Sequence, residues 1–240
     1  MGVEKIKLSV IIPAYNEVDT IDEIVSRVEG SPIKKEIIIV DDCSTDGTRD
    51  RIREITKKKN IKKNIDKDIR AIYHDRNRGK GAALRTGFAS ATGDIVIIQD
   101  ADLELNPEEY PSLVAPIIDG RADVVYGSRF LEGGRNGLPL VKYMANVFLT
   151  RLSNILNKIK LTDMETCYKV FRREVLDKVT ISSDRFGFEP EFTAKVARAG
   201  FEIYEVPVTY RARSSFEGKK ICWRDGVKAV FLIFWFRFFD

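Results

Sequence analysis

A chain of 240 residues, 44% of them hydrophobic, is one large domain or two small ones with apolar residues enough for a sizeable core. Cys43, Cys167 and Cys222 lie far apart with no Cys-x-x-Cys pair, which argues against a disulfide framework or a zinc site and fits a reducing compartment. The formal charge of +4 is concentrated at one end: residues 211–240 hold seven Lys/Arg against three Asp/Glu, and the rest balance at 33 of each, a local anion-binding hint. Residues 1–7 contain no signal-peptide apolar region, and no apolar run approaches the roughly 20 residues that span a bilayer. The sole histidine, His74, cannot by itself support a His-rich metal site or a Ser-His-Asp scheme.

In chain order, residues 7–13 read as a strand built on Leu8-Ser9-Val10-Ile11-Ile12, ended by Pro13-Ala14-Tyr15-Asn16-Glu17. Asp19 or Thr20 then caps a helix to about residue 29. Residues 36–40 are a second buried strand, followed by the polar turn Asp41-Asp42-Cys43-Ser44-Thr45-Asp46-Gly47 and a helix over roughly 48–58. Residues 57–68, lysine- and asparagine-rich, read as an exposed loop or helix extension; no aromatic residue interleaves the charges, so no nucleic-acid partner is expected. Residues 69–73 form a third strand, and Asn77-Arg78-Gly79-Lys80-Gly81 opens a helix over 82–91. Two glycines and a lysine before a helix suggest amides facing a phosphate, a plain tight turn being the alternative; the spacing is not that of a Walker A loop.

Ile95-Val96-Ile97-Ile98, four consecutive β-branched residues, read as a strand buried on both faces within a parallel sheet. It runs straight into Asp100, Asp102 and Glu104. Ligands of open α/β sheets sit beyond the carboxyl ends of strands. Alternate carboxylates there can chelate a hard cation that shares its shell with substrate phosphates, against the alternative of a solvated acidic turn. Asn106 caps a helix from Pro107, and residues 124–127 make a further strand. The strand–helix alternation predicts a mostly parallel sheet with right-handed crossovers, placing residues 13–17, 41–42, 77–80 and 100–104 on one rim.

The second half is less regular. Residues 131–139 form a loop rich in glycine (Gly133, Gly134, Gly137). Residues 141–159 read as an amphipathic helix with Val141, Met144, Val147, Phe148, Leu152, Ile155 and Leu156 at helical spacing. A turn and short strand over 163–171, a helix over 189–199 and a strand over 202–210 follow. Glu189 and Glu191 cap their helix or face a ligand, with capping preferred. Residues 223–239 are too short and charged to span a bilayer, yet aromatic and basic enough to lie in its interface, a core or dimer-forming helix being the alternative.

Taken in order, Val10-Ile11-Ile12-Pro13-Ala14-Tyr15-Asn16-Glu17, Val40-Asp41-Asp42-Cys43-Ser44-Thr45-Asp46-Gly47-Thr48, Asn77-Arg78-Gly79-Lys80-Gly81-Ala82, Asp100-Ala101-Asp102, Gly127-Ser128-Arg129-Phe130, Asp163-Met164-Glu165-Thr166, Tyr210-x-x-Arg213 and Glu217-Gly218-Lys219-Lys220 resemble the family 2 glycosyltransferases, within them the dolichyl-phosphate mannose synthase-like group. The resemblance implies an α/β, Rossmann-like GT-A fold over residues 1–222, with helices on both faces of the sheet, and a C-terminal amphipathic helix over 223–240. It implies that Pro13, Tyr15, Glu17, Asp41, Asp42, Lys80, Asp100, Ala101 and Asp102 bind a nucleotide sugar (GDP-mannose or a UDP-sugar) and that Asp102, with Glu104, holds Mg²⁺ or Mn²⁺. Asp100, Asp102, Arg129 and Arg213 would carry catalysis, and Arg129, Lys142, Arg213 and Lys219 would hold the phosphate of a polyprenyl acceptor, with Lys220 in the same loop. Three departures stand out: Glu104 where a relative has glutamine, Cys167-Tyr168 where many have Gly-Phe, and Lys142 where an arginine is frequent, a point charge replacing a bidentate fork.

The expected activity is inverting, metal-dependent transfer of a hexose, mannose favoured, to a polyprenyl phosphate. The enzyme would work peripherally on the cytoplasmic face of a membrane, with a separate membrane subunit as a possible partner. The alternatives are a UDP-sugar enzyme acting on a lipid phosphate or soluble glycan, and a non-catalytic nucleotide-sugar-binding subunit.

Overall fold

A computed structural model describes residues 6–61, 68–185, 187–212 and 223–239. Seven strands, β1 (Leu8–Ala14), β2 (Lys35–Asp41), β3 (Asp68–Tyr73), β4 (Ile95–Ile98), β5 (Val124–Ser128), β6 (Lys169–Arg172) and β7 (Ile203–Pro207), share one sheet in the order β3-β2-β1-β4-β6-β5-β7. The helices are α1 (Ile21–Gly30), α2 (Thr48–Ile61), α3 (Lys80–Ser90), α4 (Tyr110–Ile118), α5 (Leu140–Asn157), α6 (Val175–Lys178), α7 (Phe188–Arg198) and α8 (Trp223–Phe238).

The β-branched runs explain the layers. Alternate residues point to opposite faces of a strand. Val10, Ile12, Ile37, Ile39, Ile95 and Ile97 therefore pack with residues of α1, α2 and α4, while Ile11, Ile38, Val40, Val96 and Ile98 pack with those of α3 and α7. Strands covered on both sides read as unbroken apolar runs, which is why the sequence made them legible.

β1 to β4 are mutually parallel where they pair, β6 is inserted antiparallel between β4 and β5, and β5 pairs parallel with β7. One rim thus collects the ends of β1, β2, β4, β5 and β7 but the beginning of β6. The segment preceding β6, not the one following it, is delivered to the same edge as Asp100 and Asp102.

Three local expectations change. Thr20 stands at the N-cap of α1 without a side-chain cap bond, its hydroxyl donating back to the Glu17 carbonyl and carboxylate at 3.3 and 3.0 Å. α2 runs on to Ile61, so the start of the lysine-rich stretch extends the helix, and residues 62–67 lie outside the described ones.

In α5 the apolar stripe is divided, with Leu152 and Leu156 packed against the cluster of Leu149, Met164, Ala229 and Ile233 and the rest turned outward or half-buried. Val141, Met144, Phe148 and Ile155 are exposed, and the buried positions are Asn146, Leu149, Thr150, Ser153 and Asn157. Polar side chains face inward because the segment entering β6 needs partners. The Thr150 hydroxyl accepts from the Met164 amide (3.1 Å), and Asn154 exchanges two bonds with Leu161 (2.8 and 3.0 Å).

At the opposite rim, the fully buried Glu36 of β2 accepts from the Ser9 hydroxyl (2.5 Å), the Thr92 amide (2.6 Å) and Arg70 Nη2 (2.6 Å), and pairs with Lys7 Nζ at 3.0 Å. Burial works to raise its pKa, but the bonds from Ser9, Thr92 and Lys7 outweigh it and lower the pKa to about 2. Because the folded pKa lies below the ordinary glutamate value of 4.5, its contribution is present above pH 4.5 and lost as pH falls towards 2. Glu36→Ala should cost about 3 kcal/mol at pH 7. In thermal melts, the gap between wild type and variant should close as pH is lowered through that window.

Candidate active site

The loops after β1 and β2 are stitched together. The Asn16 amide donates to Ser44 Oγ (3.0 Å), the Thr45 amide to Asn16 Oδ1 (2.9 Å), and the Glu17 amide to Thr48 Oγ1 (2.8 Å). Asp46 ties the same junction, accepting from the Val18 amide and the Thr48 amide and hydroxyl; burial opposes its charge, and these bonds still lower its pKa. Pro13, Tyr15 and Glu17 are left half-buried along this edge.

Asp41 and Asp42 are buried and turned into the protein. Asp41 accepts from the Ser44 amide (3.2 Å) and Arg49 Nε (2.6 Å), and that bond raises the arginine's pKa. Asp42 Oδ1 sits 2.7 Å from His74 Nδ1 and accepts from the Arg78 amide (2.9 Å), while Oδ2 accepts from the Gly79 amide (2.6 Å). The sole histidine is thereby clamped between Asp42 and Thr86 Oγ1 (2.9 Å). The amides that resembled a phosphate cradle are occupied by this carboxylate. The two glycines instead permit close chain contact: a Cβ on Gly79 would stand 2.5 Å from the Asp184 carbonyl, and one on Gly81 2.2 Å from that of Ser183. The phosphate-cradle expectation yields to the tight turn.

At the end of β4, Gln99 is fully buried, and its Oε1 accepts from the hydroxyls of both Tyr110 and Tyr168 at 2.8 Å. Its amide donates to the Asp100 carbonyl (3.0 Å), so two tyrosines set the start of the acidic turn. Asp100 Oδ2 meets Lys80 Nζ at 3.1 Å and the Cys167 thiol; the same ammonium lies 3.2 Å from Glu189 Oε1. Burial opposes the charge of Lys80, but Asp100, Cys167 and Glu189 raise its pKa well above the ordinary value. Burial and the Asp100 charge push the Cys167 thiol up. Ala101 is buried beneath the turn. Asp102 Oδ1 accepts from the Glu104 amide (3.2 Å) across Leu103, whose φ is +60°, and Glu104 Oε2 accepts from the Tyr210 hydroxyl (2.8 Å).

Arg129, just past β5, forks onto Asp163 through Nε (2.6 Å) and Nη2 (2.8 Å) and lies 5.1 Å from the centre of the Tyr210 ring. Burial opposes its charge, yet Asp163 raises its pKa further. Two of its donors are thus committed to a neighbour. Lys142 stands exposed in the first turn of α5, and Arg213, Lys219 and Lys220 lie outside the described residues.

The two glutamates of α7 divide: Glu189 accepts from its own first-turn amide and also reaches outward, while Glu191 turns away from its helix end. Glu189 pairs with Lys80, and Glu191 accepts from the Ser182 and Ser183 amides (2.7 and 2.8 Å) and from Lys195 Nζ (2.8 Å). The rim therefore unites Asp100, Asp102, Glu104 and Lys80 with Glu189, for which the sequence left a ligand-facing role as the lesser alternative, and adds Gln99, Cys167, Glu165 and Lys169, to which the sequence assigned no site role. Only the resemblance pointed to the segment before β6, and only at the level of a motif.

No group of three His, Cys, Asp or Glu side chains is preassembled for a metal among the described residues. The donors present still fit a hard cation: they are carboxylate oxygens at a strand end, and Mg²⁺ commonly takes one or two carboxylates and completes its shell with water and substrate phosphates.

A mostly parallel sheet between helices, with an acidic turn beyond its central strand, defines a GT-A-type domain. The chain aligns over 96% of its length with a crystal structure of glucosyl-3-phosphoglycerate synthase from Mycobacterium tuberculosis (TM-score 0.70, 21% identity, 78% of that chain). It also aligns with a mannosyltransferase from Pyrobaculum calidifontis solved with GDP-Man and Mn²⁺ (TM-score 0.58, 24% identity, 83% of this chain and 54% of that one). The family model described as glycosyl transferase family 2 matches residues 9–180, and the chain belongs to that family. It is 31% identical over 218 residues to a dolichol-phosphate mannosyltransferase of Pyrococcus furiosus, covering 89% of this chain and 59% of the relative. It is 32% identical to a polyprenol monophosphomannose synthase of Mycolicibacterium smegmatis (85% and 77%) and 28% identical to a dodecaprenyl-phosphate galacturonate synthase of Rhizobium johnstonii (88% and 61%). The chain thus spans about three fifths of the Pyrococcus and Rhizobium proteins.

Gln99→Leu should leave two buried tyrosine hydroxyls without an acceptor and cost roughly 2–4 kcal/mol, whereas Tyr168→Phe, which removes a single donor, should cost about 1 kcal/mol. Urea unfolding of the two variants measures the difference.

Proposed function

We propose that this protein transfers a hexose, mannose favoured, with inversion, from a nucleoside diphosphate sugar to a polyprenyl phosphate at a membrane surface. The observation that carries the reading is the Asp100–Asp102 turn at the end of β4, on a rim it shares with the half-buried Pro13, Tyr15 and Glu17. The nucleoside would lie along those three residues, with Asp41 and Asp42 shaping the wall by pinning the loops on either side of it. The names of the Pyrococcus and Mycolicibacterium relatives support the sugar and the acceptor class.

Asp102, with Asp100 and Glu104 beside it, would hold Mg²⁺ or Mn²⁺. A bound divalent cation supplies Lewis-acid stabilisation of the charge that grows on the leaving diphosphate. Lys80 keeps a positive charge beside Asp100 for the same phosphates. In the reaction an acceptor phosphate oxygen bonds to the anomeric carbon from the face opposite the diphosphate, and the bond from that carbon to the diphosphate oxygen breaks. A phosphate monoester whose second pKa is near 6 is already anionic at neutral pH, so no protein base is required. Arg213, Lys219 and Lys220 remain proposed phosphate contacts by resemblance, and Lys142 a further one at the start of α5. Arg129 would act with Asp163 to shape the acceptor side.

No helix among the described residues is long and apolar enough to cross a membrane. α5 and α8 pack on each other through Leu149, Ala229 and Ile233, and both leave apolar residues outside: Val141, Met144, Phe148 and Ile155 on α5, and Phe231, Phe234, Trp235, Phe238 and Phe239 on α8. Phe231, Trp235 and Phe239 stack along one face of α8, with ring centres 6.0 and 5.3 Å apart. So many exposed aromatics are unusual on a face that meets water. We read the two helices as one platform lying in the interface of the leaflet where the lipid phosphate resides, with the protein peripheral on the cytoplasmic side. A membrane subunit would meet the enzyme on that same side.

Asp102→Ala should lower sugar transfer from GDP-mannose to a short polyprenyl phosphate by about 100-fold or more while the melting transition stays cooperative. Undiminished transfer would remove the basis of the reading. Burying an aromatic side chain gains about 1.5–3 kcal/mol. Replacing Phe231, Trp235 and Phe238 together by serine should therefore abolish sedimentation with phospholipid vesicles, and a folded variant that still sediments would refute the platform.

A further inference from the structure

Among the buried and half-buried carboxylates of the described residues, only Glu109 and Glu165 keep a closed oxygen without a donor, and Glu109 still accepts from the Thr209 amide through its other oxygen (2.8 Å). Asp41 and Asp42 accept from side chains and amides as described, and Asp163 takes the fork of Arg129. Glu191 holds Ser182, Ser183 and Lys195, and Glu205 accepts from the Thr162 and Asp163 amides. Glu165 has no such arrangement. Its Oε1 is closed to solvent and has no hydrogen-bond partner among the described residues.

The cations near Glu165 are turned elsewhere. Lys169 Nζ, buried on β6, donates to the carbonyls of Met164 (2.9 Å) and Thr166 (2.5 Å) and lies 4.5 Å from the centre of the Tyr126 ring. Arg129 is forked onto Asp163, and Lys80 is shared by Asp100 and Glu189. Burial, followed by the charge of Glu189, pushes the pKa of Glu165 up to about 7. A desolvated acceptor without a partner costs about 1–3 kcal/mol, and a native structure that keeps one there calls for a reason.

Location supplies it. Glu165 stands two residues before Cys167, whose thiol touches Asp100, in the segment that antiparallel β6 brings to the rim. The groups surrounding it are Glu189, Lys169, Arg129 and Asp163. With the arginine neutralised by Asp163, that environment suits a ligand rich in hydroxyl donors and repels an anion. The phosphates and the sugar of a nucleotide sugar differ in this respect: the diphosphate is anionic, and a hexose ring is a neutral array of hydroxyls.

We propose that Glu165 is a donor-sugar specificity residue, whose carboxyl group bonds hydroxyls of a neutral hexose and whose surroundings exclude a sugar bearing its own carboxylate. The inference rests on the nucleotide-sugar reading above. A site built to hydrogen-bond a hydroxyl discriminates strongly, because the unmatched polar group is otherwise left buried.

The test is titration calorimetry in Mn²⁺ with UDP, UDP-glucose, UDP-glucuronate, GDP and GDP-mannose, on wild type, Glu165→Gln and Glu165→Ala, with melting curves for each. Wild type should bind a neutral-hexose nucleotide more tightly than the matching diphosphate alone. Glu165→Ala should bind the diphosphate as wild type does and lose about 10-fold of the hexose increment, the worth of one charged hydrogen bond. Glu165→Gln, which keeps an acceptor oxygen and the side-chain shape, should recover most of that increment and narrow the preference for UDP-glucose over UDP-glucuronate. An Ala variant with unchanged diphosphate binding and the full increment overturns this inference alone, as does a Gln variant with the wild-type preference. Wild type that binds none of the five nucleotides overturns the nucleotide-sugar reading and this inference with it. If Glu165→Ala melts early, the near-isosteric Gln variant decides the question by the same ratio.

Discussion

The ammonium group of Lys80 is the point on which the site depends. It begins α3, where the helix dipole disfavours a cation, and it is largely buried. Both penalties are offset by Asp100 and Glu189, on the β4 turn and on α7, with the Cys167 thiol 3.2 Å away on the segment entering β6. Four separate elements are thereby drawn to one atom. A buried charge that loses its partner is far more destabilising than the pair was stabilising, so the elements are held in mutual register rather than simply packed. Asp102, one step beyond Asp100, takes its position from that register.

A second device fixes the same turn from below. Gln99 receives two tyrosine hydroxyls, from α4 and from the segment entering β6, and donates to the Asp100 backbone. The acidic turn is set by a hydrogen-bonded amide in the core and by a largely buried ion network at the rim. This division suits a site that handles phosphates. The apolar layers supply rigidity, and the carboxylates stay at the boundary, where a cation and an anion can approach them.

The sheet and its functional edge were legible because two-sided burial writes itself as uninterrupted β-branched runs, and parallel strand order places their carboxyl ends together. The acidic turn after Ile98 was legible for the same reason. What periodicity does not carry is the partner of each charge. Arg129 and Asp163 are 34 positions apart, Asp42 and its neighbours on the loop after β3 are 36 and 37 apart, and nothing in composition says that they meet. Lys80 and Cys167 are 87 apart. The glutamates of α7 read as caps because local rules reward an acid in a first turn, yet Glu189 pairs with Lys80 of α3, and Glu191 holds the Ser182 and Ser183 amides and Lys195 of its own helix. In α5 the apolar spacing gave a stripe but no direction. Val141, Met144, Phe148 and Ile155 point outward because Asn146, Thr150 and Asn154 hydrogen-bond the chain that enters β6, while Leu149, Leu152 and Leu156 turn to α8.

That inversion links the two ends of the proposed reaction. Among the described residues β6 is the one strand running against its sheet neighbours, so its leading segment, from Leu161 to Tyr168, reaches the functional rim instead of the opposite one. The polar face of α5 holds this segment, with Asn146 on Asp163, Thr150 on Met164 and Asn154 on Leu161. Its opposite face is apolar and exposed. A single helix thus presents lipid-compatible side chains outward while its inner residues position Asp163, Glu165 and Cys167 beside the acidic turn. An enzyme whose acceptor carries a membrane-bound tail and a polar head needs both surfaces at a fixed separation. A helix with its polarity reversed relative to the core provides them without any further element.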